Sequence, residues 1–114
     1  MGEYGRPLWR EANHFLRQEF PDIEILIQST HDAAISHPEW RIDYLHVDAD
    51  HSYEGIYRDF LDYVGLMNRP AVITFHDTAE GLHGAKIAAL LKQQGYSIIN
   101  FKDLGCGFAV LYLD

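Results

Sequence analysis

The sequence predicts an α/β domain with a mainly parallel sheet and helices on both of its faces. Short runs of β-branched and apolar residues alternate with segments whose apolar residues recur at helical spacing, and this alternation is typical of parallel sheets. Two further apolar runs, 96–101 and 108–113, close the chain, and their short connection favours an antiparallel pair. The 114 residues suffice for a single domain, 1–114, with one hydrophobic core.

The first element is predicted to be a helix that begins near Pro7, because proline suits a first helical turn. Its apolar stripe consists of Leu8, Ala12, Phe15 and Leu16. Pro21 is expected to end this helix, and the β-branched run 23–28 that follows is predicted to be a strand.

A short helix is predicted next, because Ser29 or Thr30 can cap a helix that extends to about His37. The apolar run 42–48 is then the second predicted strand. A longer helix follows, and its apolar stripe consists of Ile56, Phe60, Tyr63, Val64 and Met67.

The third predicted strand is the run 71–76, which Pro70 separates from the preceding helix. A last helix over residues 81–94 is predicted to end at Gly95, a typical C-terminal stop. The resulting element order is α-β-α-β-α-β-α-β-β.

The charge of the chain excludes some classes of partner. Nine Lys and Arg residues stand against 17 Asp and Glu residues, which gives a formal net charge of −8. Without a basic stripe to neutralise phosphates, we expect neither nucleic acid nor an anionic membrane surface as a partner.

The single cysteine, Cys106, excludes an intrachain disulfide and a cysteine-based zinc cluster. One unpaired thiol fits a reducing compartment. The first six residues lack the apolar core of a signal peptide, and every apolar run is strand-sized. We therefore expect a cytoplasmic protein.

Two of the predicted strands end abruptly in acids and imidazoles. Asp48 ends the second strand and is followed by Asp50 and His51, while the third strand ends in His76 and Asp77. Because the carboxyl ends of neighbouring parallel strands meet at one edge of a sheet, these side chains are expected to line a ligand crevice.

The run 42–55, which contains Asp-Ala-Asp-His-Ser-Tyr-Glu-Gly, resembles part of the class I S-adenosylmethionine-dependent methyltransferases when it is taken together with Asp59 and the later run 72–77. The resemblance is to the second half of that fold, in the small-molecule O-methyltransferase branch that includes macrocin-type enzymes. It covers roughly residues 23–114 and implies S-adenosylmethionine as cofactor and a small-molecule hydroxyl as methyl acceptor.

The resemblance also implies roles for the residues at the crevice. In metal-assisted relatives the carboxylate that matches Asp48 binds a divalent cation, and the positions of His76 and Asp77 supply further ligands. Carboxylates favour Mg²⁺, whereas an imidazole favours Mn²⁺ or Zn²⁺. Without a metal, Asp48 is interpreted as a turn aspartate, Asp77 as a helix N-cap and His76 as a half-buried polar contact.

His51 is the predicted general base, because an imidazole titrates near neutral pH. Asp48 is the second predicted catalytic residue. The alternative for His51 is a loop histidine bonded to Glu54 or to backbone. Ser29, Thr30 and Asp48 are the implied cofactor contacts, although helix capping explains Ser29 or Thr30 equally well.

Six other aromatic or imidazole side chains are interpreted as core or interface residues: His46, Trp9, Trp40, Tyr57, Phe60 and Tyr63.

The opening half of the methyltransferase family has no counterpart in this sequence. That half supplies the first strand, a glycine-rich turn and an acid that binds the cofactor ribose. No Gly-x-Gly turn follows a predicted strand, so we expect a truncated domain. The strand 42–48 then has an exposed edge, which predicts a homodimer, a domain swap or a complementary N-terminal half as partner. Alternatively, the strand 23–28 pairs directly with this edge.

Two other functions remain open. A metal-dependent hydrolase could use Asp48, Asp50, His51, His76 and Asp77 to bind cations and activate water. A non-catalytic remnant that serves oligomerisation would be consistent with the missing glycine-rich turn.

Overall fold

A computed structural model describes the backbone of residues 2–114 and the side chains of residues 11–114. Within these residues the elements are, in chain order, α1 (Gly2–Glu19), α2 (Thr30–Ser36), β1 (Ile42–Val47), α3 (Tyr53–Val64), β2 (Met67–His76), α4 (His83–Gln93), β3 (Ser97–Phe101) and β4 (Phe108–Leu113). Among these described residues, every helix is too short or too polar to span a lipid bilayer.

The four described strands form one mixed sheet in the order β1-β2-β4-β3. β1 and β2 are parallel, whereas β4 is antiparallel to both β2 and β3. The antiparallel closing pair is therefore confirmed, and the prediction of a mainly parallel sheet is wrong. The reason is that β2 pairs with the antiparallel strand β4 on the side away from β1. β1 itself has no second neighbour among the described strands.

The predicted strand 23–28 is not formed, although its composition favours a strand. The segment has no regular secondary structure, and Ile27 is 65% exposed. A β-branched segment becomes a strand only when a neighbouring strand accepts its backbone hydrogen bonds. The alternative pairing of this segment with the edge of β1 is likewise not observed.

Side chains that alternate along the strands divide the sheet into two unequal faces. On one face Ala71, Ile73 and Phe75 of β2 are buried in a core that includes Phe60 of α3 and Leu91 of α4. The described helices that cover this core, α3 and α4, also contact each other.

The opposite face of the sheet remains largely exposed. Tyr44 is 58% exposed, and Ile99 and Tyr112 on the same face are exposed as well. Helices were predicted on both faces of the sheet, but in the described part of the chain they cover only the face that carries the core.

Several element boundaries differ from those predicted. α1 begins at Gly2, so Pro7 lies inside the helix and not in its first turn. The side chains of Leu8 and Trp9 lie outside the described residues. β2 begins at Met67, so Pro70 lies within the strand and does not precede it.

Two predicted helix ends are confirmed. The Ser29 hydroxyl accepts a hydrogen bond of 3.1 Å from the amide of Asp32 and caps α2. Gly95 follows α4 with a φ of +100°, a left-handed conformation that glycine adopts without strain.

Candidate functional site

The carboxyl ends of β1 and β2 lie side by side. The parallel register pairs His46 with Thr74 and Val47 with Phe75. The next residues along the two strands, Asp48 and His76, consequently emerge at the same edge of the sheet. This adjacency, which the sequence predicted, assembles the ionisable side chains of the two strand ends.

Four of these side chains form a cluster, which we call the rim cluster: Asp48, His51, His76 and Asp77. The His76 Nδ1 atom lies 3.5 Å from an Asp48 carboxylate oxygen and 3.2 Å from an Asp77 carboxylate oxygen. The His51 Nε2 atom lies 3.8 Å from Asp48 and 3.4 Å from Asp77. Two imidazoles thus bridge two carboxylates, and the ring of His51 faces these acids and not Glu54.

The backbone of Asp77 is unusual. Its φ is +61°, in the left-handed region that residues with a side chain seldom adopt. The predicted alternative role of Asp77 as a helix N-cap is wrong, because Leu82 precedes α4 at the cap position. The left-handed turn therefore serves to aim the Asp77 side chain towards the rim cluster.

Asp50 does not join the rim cluster. Its carboxylate accepts a 2.8 Å hydrogen bond from the amide of Ser52, at the turn that starts α3. This backbone hydrogen bond lowers the pKa of Asp50. Asp50 is therefore a turn aspartate that stabilises the start of the helix.

Three residues of the rim cluster lie close enough together to be candidate ligands of a small divalent cation. Donor atoms of Asp48, His51 and Asp77 all lie within 4.8 Å of one another. Around an octahedral cation with ligands at about 2.1 Å, neighbouring donors are about 3.0 Å apart and opposite donors about 4.2 Å apart. The distances from the His51 nitrogen to the two acids, 3.8 and 3.4 Å, and those from the His76 nitrogen, 3.5 and 3.2 Å, all fall in this interval. Either imidazole can therefore complete a cation site with Asp48 and Asp77. The combination of carboxylates and imidazole is typical of Mn²⁺ or Zn²⁺ more than of Ca²⁺.

A second polar group lies close to Asp48, beside the outer edge of β1. The Thr30 hydroxyl donates to the Asp59 carboxylate at 2.5 Å, and the Tyr63 hydroxyl donates to the Thr30 carbonyl oxygen at 2.7 Å. Asp59 is only 6% exposed. Burial raises the pKa of Asp59 and that of Tyr63.

Two cavities meet at this polar group. One, of about 240 Å³, is lined by Thr30, Leu45, His46, Val47, Asp48, Ala49, Asp59 and Tyr63. The other, of about 370 Å³, is lined by Ser29, Thr30, His31, Asp32, Asp50, Gly55, Arg58 and Asp59. Thr30 and Asp59 border both cavities. Of the predicted cofactor contacts, Thr30 and Asp48 therefore share a cavity, while the hydroxyl of Ser29 is engaged as a helix cap.

Sequence reasoning assigned no role to Asp59 and took Tyr63 for a core or interface residue. The available signal was the position of Asp59 in the apolar stripe of α3, between Ile56 and Phe60. A carboxylate on the buried side of a helix needs a hydrogen-bond partner, which indicates a polar site.

His46 lies on the exposed face of the sheet and not in the core. Its Nδ1 atom lies 2.7 Å from the Thr74 hydroxyl, which also contacts the Tyr44 hydroxyl at 2.7 Å. The His46 ring is 6.3 Å from the ring of His76, so this polar row leads from the open face to the rim cluster.

The fold and the rim cluster define a class of protein: an α/β domain whose ionisable residues gather at the carboxyl ends of a parallel strand pair. The family described as "Methyltransferase domain" matches residues 4–78, a segment that runs through both strands of this pair. The chain belongs to this methyltransferase-domain family. No curated protein matches the sequence significantly.

Proposed function

We propose that the chain is a component of an S-adenosylmethionine-dependent methyltransferase that acts on a small-molecule hydroxyl group with the help of a divalent cation. The family match supports the transfer of a methyl group, for which S-adenosylmethionine is the family's usual donor. The macrocin-type branch is the specific relative that we favour, on the motif from Asp48 to Gly55. The single observation that carries the proposal is the convergence of the four side chains of the rim cluster.

The two histidines of the rim cluster need different roles, because an imidazole nitrogen that binds a cation cannot accept a proton at the same time. We assign His76, with Asp48 and Asp77, to the cation. His51 has a side chain that is 66% exposed, against 44% for His76, so it reaches an incoming substrate more easily. His51 is therefore the proposed general base.

Methyl transfer to a hydroxyl group requires these residues to remove one proton and to orient the acceptor oxygen. A cation held by His76, Asp48 and Asp77 would lower the pKa of an acceptor hydroxyl. His51 then removes the hydroxyl proton, and the Asp48 carboxylate stabilises the resulting imidazolium. The remaining requirement is orientation of the acceptor oxygen, which a rigid strand end provides.

The cofactor site proposed here is a partial one. Small-molecule sites occupy roughly 300–1,000 Å³. Of the two cavities at Thr30 and Asp59, the one of about 370 Å³ lies at the lower end of this range and the one of about 240 Å³ falls below it. In residues 2–114 no glycine-rich turn follows a strand beside these cavities. Thr30 and Asp48 would form one wall of the cofactor site, and we propose that a partner supplies the opposite wall.

The decisive experiment separates the two histidines. Mn²⁺ binding is measured by electron paramagnetic resonance for the wild-type chain, His51→Ala and His76→Ala. We expect His76→Ala to weaken Mn²⁺ binding at least tenfold and His51→Ala to retain it. Equal Mn²⁺ affinity in all three proteins contradicts the cation site, and the reverse pattern exchanges the two roles.

The metal-dependent hydrolase loses support from the position of Asp50. A two-cation centre would need that carboxylate, but it is bonded to the Ser52 amide at the start of α3. For a centre with a single cation the family match favours the methyltransferase, so our proposal for the rim cluster remains a methyltransferase with one cation.

We also propose that the outer edge of β1 pairs with a second copy of the chain. Several large apolar side chains in the described part of the chain are exposed, among them Ile27, Ile35 and Leu61. Exposed apolar surface of this kind is typical of an interface. An unpaired strand edge beside exposed Tyr44 is a typical pairing surface.

Sedimentation equilibrium tests this association, with a dimer expected at micromolar concentration. A chain that stays monomeric up to 100-fold higher concentration rules the association out, and the complementary half then becomes the partner to seek.

A further inference from the structure

The loop between β2 and α4 carries Asp77. Hydrogen bonds to β3, on the opposite side of the sheet from β1, hold this loop in place. Asp77 is followed by Thr78, whose side chain is fully buried. A left-handed residue such as Asp77 persists only where its surroundings hold it in place. The contacts of Thr78, the next residue along the chain, are therefore a nearby restraint on the backbone of Asp77.

Thr78 is held by one residue of the sheet, Asn100 of β3. The Thr78 hydroxyl donates to the Asn100 Oδ1 atom at 2.6 Å, and the Asn100 Nδ2 atom donates to the Thr78 carbonyl oxygen at 3.0 Å. The amide of Asn100 thus fixes both the side chain and the backbone of Thr78. In the register of the sheet, Ala109 of β4 pairs with Phe75 of β2 on one side and with Asn100 of β3 on the other.

Two other backbone segments, the hairpin between β3 and β4 and the start of α4, also approach the loop that carries Asp77. The amide of Ala79 donates to the carbonyl oxygen of Cys106 at 2.8 Å. A Cβ atom on Gly107 would lie 2.2 Å from the Ala79 nitrogen, and one on Gly84 would lie 2.2 Å from the Asp77 oxygen. The hairpin between β3 and β4 is therefore packed directly against the loop.

We propose that Asn100 is a positioning residue for the rim cluster, acting through Thr78 on the direction of the Asp77 carboxylate. This inference rests on the proposed cation site. Asn100 lies on β3, at the far edge of the sheet from β1, and makes its two bonds to the loop and none to the cluster itself. Loss of these bonds frees Asp77 to return to negative φ, which rotates its side chain away from Asp48 and His51.

Three variants test the proposal. Thr78→Val is isosteric but removes the hydroxyl, Asn100→Ala removes both hydrogen bonds, and Thr78→Ser keeps the hydroxyl as the conservative rescue. Ile98→Ala in the same strand β3 is the control for general destabilisation, because the Ile98 side chain is buried in the core and has no polar atom that could bond to the loop. All four chains are compared with the wild type by Mn²⁺ titration and by thermal unfolding.

We expect Thr78→Val and Asn100→Ala to weaken Mn²⁺ binding at least tenfold, while Thr78→Ser stays within about threefold of the wild type. Ile98→Ala is expected to lower the unfolding temperature without changing Mn²⁺ affinity. Folded Thr78→Val and Asn100→Ala proteins that bind Mn²⁺ as tightly as the wild type overturn the inference.

A second measurement keeps this inference separate from the proposed function. The positive φ of Asp77 is read in the metal-free protein from its backbone chemical shifts and its intraresidue amide-to-Hα nuclear Overhauser effect. If the wild type binds no Mn²⁺, the cation site is wrong. The effect of Asn100 on Asp77 is then decided by this signal, which must disappear in Thr78→Val and Asn100→Ala and persist in Thr78→Ser.

Discussion

Thr30 at the start of α2 and Asp59 on α3, 29 residues apart, are joined by a hydrogen bond of 2.5 Å from the threonine hydroxyl to the carboxylate. The bond ties the two helices together beside the open edge of β1, and Tyr63 reinforces it by donating to the carbonyl oxygen of Thr30. The carboxylate is almost completely withdrawn from solvent and borders both cavities of the candidate cofactor site. Its protonation and its partner therefore affect stability and site geometry together.

The first prediction concerns the pH dependence of stability. Burial raises the pKa of Asp59, so the folded chain holds this proton more tightly than the unfolded chain does. The stabilisation from this group is complete below the unfolded pKa and is lost as the pH rises through the folded pKa. Asp59→Asn carries no such titration. We expect the free energy of unfolding of Asp59→Asn, relative to the wild type, to increase between pH 4 and pH 7.

Urea unfolding of both proteins at several pH values measures this difference. Asp103→Asn is the control, because Asp103 is an exposed aspartate in the connection between β3 and β4. If the free energies of unfolding of Asp59→Asn and the wild type differ by a constant amount over this pH interval, the raised pKa of Asp59 is contradicted.

The second prediction concerns the donor of the same hydrogen bond. Thr30→Val keeps the shape of the side chain but leaves the buried carboxylate without its hydroxyl partner. An unsatisfied buried acceptor costs about 1–3 kcal/mol, so the free energy of unfolding should fall by that amount at pH 7. Thr30→Ser retains the hydroxyl and should lose less than about 1 kcal/mol. Similar losses in the two variants, measured by urea unfolding, would show that packing of the Thr30 methyl group matters more than the bond.

These features differ in how far the sequence revealed them. The meeting of Asp48 with His76 was predictable, because apolar runs that end in polar residues mark the carboxyl ends of buried strands. The closing pair β3 and β4 was predictable from its short connection. Both predictions depend on local pattern alone.

Features that depend on distant partners were missed. The segment 23–28 has strand composition, but whether it forms a strand is decided by a neighbour that the pattern does not contain. The bond between Thr30 and Asp59 depends on how α2 packs on α3, and the left-handed turn at Asp77 depends on Thr78 and Asn100. Tertiary contacts of this kind leave no periodic signal in a single sequence.

The third prediction concerns the backbone of Asp77. Because its φ is +61°, a residue with a Cβ atom is strained there, and aspartate is tolerated better than alanine. Asp77→Ala should lower the free energy of unfolding by about 1 kcal/mol, whereas Asp77→Gly should leave it unchanged or raise it slightly. Both variants remove the carboxylate, so both should lose Mn²⁺ binding if the proposed cation site is correct. Equal stability of the alanine and glycine variants in urea unfolding would contradict the strain at this position.

The last prediction compares two glycines that differ in their surroundings. A Cβ atom on Gly84 would lie 2.2 Å from the backbone oxygen of Asp77, which cannot move without shifting the loop. Gly65 ends α3 with a φ of −73° and has no atom within 4 Å of such a Cβ. Gly84→Ala should therefore lower the free energy of unfolding by about 1–3 kcal/mol, as expected for overpacking. Gly65→Ala should raise it by about 0.4–1 kcal/mol, because alanine restricts the unfolded chain. Thermal and urea unfolding measure both effects.

Since the displaced oxygen belongs to Asp77, Gly84→Ala should also weaken Mn²⁺ binding, and Gly65→Ala should not. A Gly84→Ala chain as stable as the wild type would mean that α4 is not packed this closely against the loop that carries Asp77.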